Sequence, residues 1–490
     1  MRNDWSGFTF PHPAGRRRWM KDAHAIDPER PVQSILERHR DLGPIFEIVV
    51  FGQKFVFVTS AELAAELNDE SRFVKANSPA LEGLRGIAGD GLFTAHNDEP
   101  NWQLAHDLLA PAFTKHAMQR YHPVMAETLD ELFAAWDAGS GRVDVSADMT
   151  RLTLETIGRT GFSQAFDSFA TDEVHPFVEA MVVALTLGRR KGVLLALPGS
   201  TLLARRLDRK HAHQLDYAQR FLDDIVASRR SGATTGGDDL LGIMLEQAHP
   251  ETGQRLSDEN IRYQILTFLV AGHETTSGAL SFALYYLTRD PEVMAKAQAE
   301  TDAILGSDAD ATPSYEQVPR FRYVRKVLDE ALRLWPTAPG YARSPRETTT
   351  LGGRWTMTPE DWALVVLPLV QRDPAAWGES ADTFDPERSR TRLSSTTKPF
   401  GTGERACIGR QFALHEATMA LARILHRYDV AADPAYTLRI DERLTLMPQG
   451  LEVTLTRRTP GAGTEDAVAA DAVAAGAGAP AVCPHSGATA

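Results

Sequence analysis

The chain has 490 residues, 43% of them hydrophobic and 24% charged, an ordinary mix for a folded protein able to bury a large core. A formal net charge of -13 argues against general nucleic-acid binding, which needs a basic surface, while leaving room for a local basic patch that meets an acidic redox protein. There are 2 cysteines, Cys407 and Cys483, so no disulfide framework is implied and a cytoplasmic location fits. The polar start Met1-Arg2-Asn3-Asp4-Trp5 lacks an apolar signal region, and no stretch reaches the apolar length of a membrane span.

No internal repeat occurs. Ile45–Val50 and Phe55–Val58 predict short early strands, and Ala363–Leu367 a later one. Most of the remainder has helical periodicity, which predicts a mainly helical protein with a minor β region. The apolar run Gly192–Leu203 is flanked by Arg189, Arg190, Lys191, Arg205 and Arg206. It predicts either a packed helix–loop–helix or a greasy entrance with basic edges, suited to a hydrophobic substrate, free or presented by a carrier protein.

A long helix is predicted from the N-cap Ser257 to about Thr288, before Pro291, with Asp258 and Glu259 favourable in its first turn. Its middle is apolar on nearly all sides, so it should cross the interior. Within it lies Ala271-Gly272-His273-Glu274-Thr275-Thr276, whose polar groups are costly unless partnered. Gly272 weakens the helix, and Thr275 can bond back to a carbonyl and bend it. The segment reads as a satisfied polar kink or as a widened functional turn. Neither His273-Glu274 nor His415-Glu416 continues into the His-Glu-x-x-His of zinc hydrolases. Further on, Glu330 and Arg333 share a helix face, with apolar flanks and Trp335-Pro336 ending the helix. That pair is a surface ion pair or part of a buried charge network.

Phe400-Gly401-Thr402-Gly403-Glu404-Arg405-Ala406-Cys407-Ile408-Gly409 sets one cysteine in a glycine-rich loop directly before a predicted helix. Gly401, Gly403 and Gly409 allow tight turns and close approach to a flat cofactor. The helix N-terminus favours a thiolate, and Arg405 adds a cation able to pair with a cofactor carboxylate. Such a thiolate can be the axial ligand of a haem iron, where it favours O–O cleavage. The plain alternative is a small buried cysteine. A dinucleotide fingerprint fails because Ala406 stands where its third glycine belongs, and a zinc site fails for want of Cys-x-x-Cys.

The loop matches Phe-x-x-Gly-x-Arg-x-Cys-x-Gly and resembles the haem-binding loop of the cytochrome P450 family. Ala271–Thr276 is similar to that family's Ala/Gly-Gly-x-x-Thr, and Glu330–Arg333 to its Glu-x-x-Arg, with Arg388 in Phe384-Asp385-Pro386-Glu387-Arg388 as the third partner. Ala88–Phe93, Ile261–Tyr285 and Glu330–Pro339 are similar to the haem domain of bacterial fatty-acid hydroxylases fused to a diflavin reductase. The resemblance implies a P450 fold over residues 1–460, followed by an Ala/Gly-rich disordered tail over 461–490. It implies haem b with Cys407 as axial ligand, O2 as co-substrate, and oxygen insertion into a hydrophobic substrate. Thr275 would hold water for proton delivery, Glu274 would supply the proton, and Ala271 and Gly272 would leave room for oxygen over the iron. Lys75, Trp102, His106 and Arg405 would surround the haem propionates, Gly401 would turn the loop, and Phe400 would pack near the thiolate. Glu330, Arg333 and Arg388 would support the loop without taking part in catalysis.

Phe93 would gate the substrate. Gln53 and Phe57 stand where the fatty-acid members carry a carboxylate-gripping Arg and Tyr, and Lys54 should point to the opposite strand face. No flavin-binding domain follows, so NAD(P)H electrons are expected through a ferredoxin or flavodoxin and its reductase. Two rivals remain. A peroxide-driven peroxygenase is disfavoured by the Glu274-Thr275 pair, and a non-catalytic haem sensor or carrier would not need that pair.

Overall fold

The computed structural model describes residues 5, 9–17, 21–38, 40–50, 52–170, 175–195, 201–233, 237–388 and 396–461. The expected tail with Cys483 lies outside the described residues. So do residues 196–200 and the side chains around them, which would form the greasy entrance.

The longer helices are α1 Pro31–Arg38, α2 Ala61–Leu67, α3 Pro79–Ala88, α4 Pro100–Leu109, α5 Met118–Ala138, α6 Val145–Phe162, α7 Pro176–Leu195 and α8 Thr201–Lys210. They continue as α9 Ala212–Arg230, α10 Leu240–Glu246, α11 Asp258–Leu287, α12 Pro291–Leu305 and α13 Arg322–Leu334. After the single turns α14 Leu367–Val370 and α15 Pro374–Trp377 comes α16 Arg410–Arg427. The chain is mainly helical with small separate sheets, as its patterning predicts.

The helix α11 starts where the sequence signals place it. Ser257 Oγ accepts from the Asn260 N–H at 3.1 Å, Asp258 and Glu259 occupy the first turn, and Thr288 caps the other end. Its flanks are buried on all sides against α6, α13 and α16, so it forms the axis of the main core. Among the described residues, no helix is long and apolar enough to cross a membrane.

The largest sheet has the order β1-β2-β8-β5-β3, built from β1 Ile45–Val50, β2 Gln53–Val58, β3 Phe73–Ala76, β5 Gly340–Pro345 and β8 Ala363–Val366. Strand β2 shows the period of two. Val56 and Val58 face a cluster with Trp5 and Phe10, while Phe55 and Phe57 face Ile35, Phe46 and Ile48. Lys54 lies on the first face: its Nζ donates to Trp5 O at 3.2 Å and stands 3.6 Å from Glu47. Elsewhere β4 Arg142–Asp144 and β9 Tyr428–Ala432 flank β12 Glu452–Arg457, and β6 Thr349–Leu351 pairs with β7 Trp355–Met357. The hairpin of β10 Ile440–Glu442 and β11 Leu446–Pro448 packs on α11.

Candidate active site

The cysteine loop is held by its own backbone. The Cys407 N–H donates to Phe400 O at 2.8 Å, and Ala406 N–H to Gly403 O at 3.0 Å. Gly401 and Gly403 have φ of 69° and 72°, where an L side chain is strained. Gly409 differs from expectation. It is the N-cap of α16 with φ of -82°, an ordinary conformation, so its backbone does not require glycine. Cys407 is exposed although protein mass crowds it. Burial pushes its thiol up, and the Gly409 N–H and the Arg410 charge oppose this only in part. A strong electrophile at sulfur is needed to hold the thiolate. Phe400 lies beside this loop with the Arg410 guanidinium 5.8 Å from its ring centre.

A cluster of cations lies next to the loop. Lys75 on β3 and Arg343 on β5 are register partners, so two like charges sit directly opposite each other. Burial, reinforced by the charges of Arg405 and Arg85, pushes Lys75 down to about 7. Burial also pushes Arg405 down to about 10, with Glu404 opposing and Arg343 adding repulsion. Lys75 Nζ donates to Phe93 O at 2.5 Å and Ala95 O at 3.1 Å. Arg405 stacks 3.7 Å over the Trp102 ring, and Trp102 stacks on His106 at 5.0 Å between ring centres. Arg405 Nη1 and His106 Nδ1 are buried without a hydrogen-bond partner among the described residues. Orphaned donors and mutually repelling cations call for an anion. The structure thus brings together the four predicted residues Lys75, Trp102, His106 and Arg405. Sequence reasoning missed Arg343, which lies on a short strand with little apolar alternation; its register opposite Lys75 was the only signal.

In α11, Ala271 is exposed although the surrounding helix is buried. Thr275 Oγ1 donates back to Ala271 O at 2.7 Å. The helix is unbroken from Asp258 to Leu287, so the expected kink is not a break in its ladder. Gly272 has a packing reason instead: a Cβ there would lie 2.8 Å from Ile157 Cγ1 of α6. Glu274 is buried and directed at the β10–β11 hairpin. Its Oε2 accepts from Thr445 Oγ1 at 2.8 Å, and Arg443 Nη1 lies 3.8 Å from Oε1. Neither hairpin residue was anticipated, because the contact joins positions 171 residues apart.

The charge network is buried. Arg333 donates from Nε and Nη2 to the two Glu330 oxygens at 2.8 Å each, and Arg388 Nε donates to Oε1 at 2.9 Å. Arg333 also donates to the carbonyls of Gln371 and Ala381. Gln371 Oε1 accepts from Lys398 N–H at 2.9 Å, and Lys398 O accepts from Gly401 N–H at 2.9 Å. This chain of bonds joins the network to the cysteine loop.

The predicted substrate residues separate. Phe93 is 43% exposed and Gln53 is exposed at the start of β2. Phe57 is 5% exposed and stacks on Phe46 at 5.2 Å, a core position under the sheet. Its ring is committed to packing rather than to a ligand.

Comparison with known proteins agrees with this site. The family model "Cytochrome P450" matches residues 11–455. The chain belongs to the cytochrome P450 family. It is 41% identical over 440 residues to a bifunctional cytochrome P450/NADPH–P450 reductase of Bacillus cereus, covering 88% of this chain and 41% of the relative. A bifunctional cytochrome P450/NADPH–P450 reductase 1 of Bacillus subtilis is 41% identical over 460 residues, covering 93% and 42%. The self-sufficient cytochrome P450 monooxygenase CYP505E1 of Aspergillus niger is 41% identical over 443 residues, covering 88% and 40%. The chain therefore spans about two-fifths of the length of the curated relatives it matches. Membership implies haem with a cysteine thiolate ligand, and the residues of this P450 fit that group. An accessible thiol in a turned loop meets the iron, and under-compensated cations meet the propionates.

Proposed function

We propose that this P450 is a haem-thiolate monooxygenase that inserts one oxygen atom of O2 into a hydrophobic organic substrate. The observation that carries the reading is the pairing of the exposed Cys407 thiol with the crowded cations Lys75, Arg343 and Arg405. A thiolate-bound haem supplies oxygen activation when present. Cys407 binds the iron, Lys75, Arg405, Arg343 and His106 hold the propionates, and Trp102 keeps Arg405 in place. Thr275 orders water beside Ala271, and Glu274 is the proton source. Phe93 and Gln53 meet the substrate. Glu330, Arg333 and Arg388 hold the loop.

NAD(P)H electrons arrive through a ferredoxin or flavodoxin and its reductase. The names of the relatives, which pair a P450 with an NADPH–P450 reductase, support a flavin-based donor. A cytoplasmic setting suits such a donor.

The test begins with the ferrous–carbon monoxide difference spectrum. Wild type should show the red-shifted Soret band of a thiolate-ligated haem, and Cys407→Ser should lose it. Thr275→Ala should keep the band while product per oxygen consumed falls about tenfold or more, the range of a lost proton-transfer group. Full turnover by Thr275→Ala would sink the relay. Binding spectra with apolar acids, neutral terpenoids and carrier-bound acyl groups would then define the substrate class.

A further inference from the structure

Glu274 is a buried carboxyl that is only half held. Its side chain is 3% exposed, Thr445 satisfies Oε2, and Oε1 has no hydrogen-bond partner among the described residues. An unsatisfied buried oxygen is costly, and the nearby compensating charge is the Arg443 guanidinium at 3.8 Å. That distance gives charge compensation without a hydrogen bond, so the carboxyl is attracted but not locked.

Arg443 spans the boundary between core and solvent. Its side chain is 40% exposed and also bonds Asp441 at 2.9 Å through Nε. Together with Asp441, Glu442 and Arg30 it lines a cleft of about 300 Å3 that opens to water. The hairpin carrying it is fixed at both sides. Glu442 accepts from the N–H groups of Val32 and Gln33 at the start of α1, and Leu446 N–H donates to Thr337 O at 2.9 Å. On its own helix Glu274 is followed directly by Thr275, whose hydroxyl faces back to Ala271 O.

We propose that Arg443 is a positioning residue for Glu274, and that Glu274 regains protons from solvent through the cleft under the β10–β11 hairpin. This rests on the proton-source role given to Glu274 above. The Glu274 carboxyl gives its proton toward Thr275 and takes another from water in the cleft. Arg443 draws the resulting carboxylate back to the hairpin between transfers. No other group changes oxidation state or covalent bonding in this exchange.

The test uses Arg443→Ala, Arg443→Lys and Glu274→Gln in the haem-loaded protein, with an NADPH-dependent diflavin reductase and dodecanoic acid as the apolar probe. Product and peroxide per oxygen consumed and the solvent isotope effect are measured. Amide exchange over residues 440–448 is followed in parallel, as is the 13C resonance of the Glu274 carboxyl, assigned by its loss in Glu274→Gln. Arg443→Ala should lower product per oxygen severalfold, enlarge the isotope effect and move the Glu274 resonance, with hairpin protection unchanged. Arg443→Lys should restore all three.

Unchanged coupling in Arg443→Ala would overturn the proposal. So would a loss of coupling that occurs only with lost hairpin protection, because Arg443 would then be a structural pin. Normal coupling in Glu274→Gln would instead defeat the underlying proton-source role. Absence of product in wild type, with oxygen still consumed, would defeat the choice of probe or the monooxygenase reading before any variant is compared.

Discussion

At the scale of single residues, the buried ionisable groups set the chemistry, and Glu416 is the clearest case outside the site. Its two carboxyl oxygens are buried in α16 without hydrogen-bond partners among the described residues. The neighbouring Thr156 hydroxyl gives its proton to Leu152 O, so it cannot serve the carboxyl at the same time. Burial pushes Glu416 up to about 8 from 4.5. Between those values the native state keeps a proton that the unfolded chain has lost. The contribution to stability is complete below about pH 4.5 and declines as pH rises to about 8. The slope is at most about 1.4 kcal/mol per pH unit, one proton's worth. Glu416→Gln, neutral at every pH, should flatten that slope in urea unfolding measured across the window. An unchanged slope would assign the linkage to another group.

At the scale of elements, legibility followed the range of the interaction. The ends of α11 were readable because Ser257, Asp258, Glu259 and Thr288 act within one turn. The strands β1, β2 and β8 were readable from runs of β-branched and aromatic residues, whereas β3 and β5 are short, and their pairing comes from each other. The cysteine loop, the Glu330–Arg333 pair and the Lys75–Trp102–His106–Arg405 group were legible as motifs. The hold of Thr445 and Arg443 on Glu274 was not, because nothing local encodes it. Gly272 shows the same limit: the helix-weakening reading was local, while the structure gives an interhelical cause. A Cβ at 2.8 Å from Ile157 would push α6 and α11 apart. Gly272→Ala should therefore cost about 1–3 kcal/mol despite alanine's better helix propensity. Adding Ile157→Ala should recover part of the loss in thermal unfolding. A stabilised single variant would show that Ile157 yields without cost.

At the scale of the whole molecule, the question is how a loop with two strained glycines stays in one conformation beside repelling cations. The answer lies in the bond chain from Glu330 through Arg333 and Gln371 to Lys398 and Gly401. It joins α13, the α14 turn and the cysteine loop, three segments far apart in sequence. Glu330 is the single carboxylate shared by two arginines, with side chains 2%, 0% and 8% exposed for Glu330, Arg333 and Arg388. Removing it strands two buried cations, a loss of about 3–5 kcal/mol by comparison with other broken buried pairs. Glu330→Gln keeps the shape and removes only the charge. It should lower thermal stability and also reduce haem content per chain, because the loop that carries Cys407 loses its distant anchor. Arg388→Lys keeps a cation next to Glu330 and should lose much less of either. Haem stoichiometry and unfolding measured on the same preparations separate the two effects. A destabilised Glu330→Gln protein that still binds haem in full would show that the loop holds its shape by its own backbone bonds, from Cys407 N–H to Phe400 O and from Ala406 N–H to Gly403 O, without help from the network.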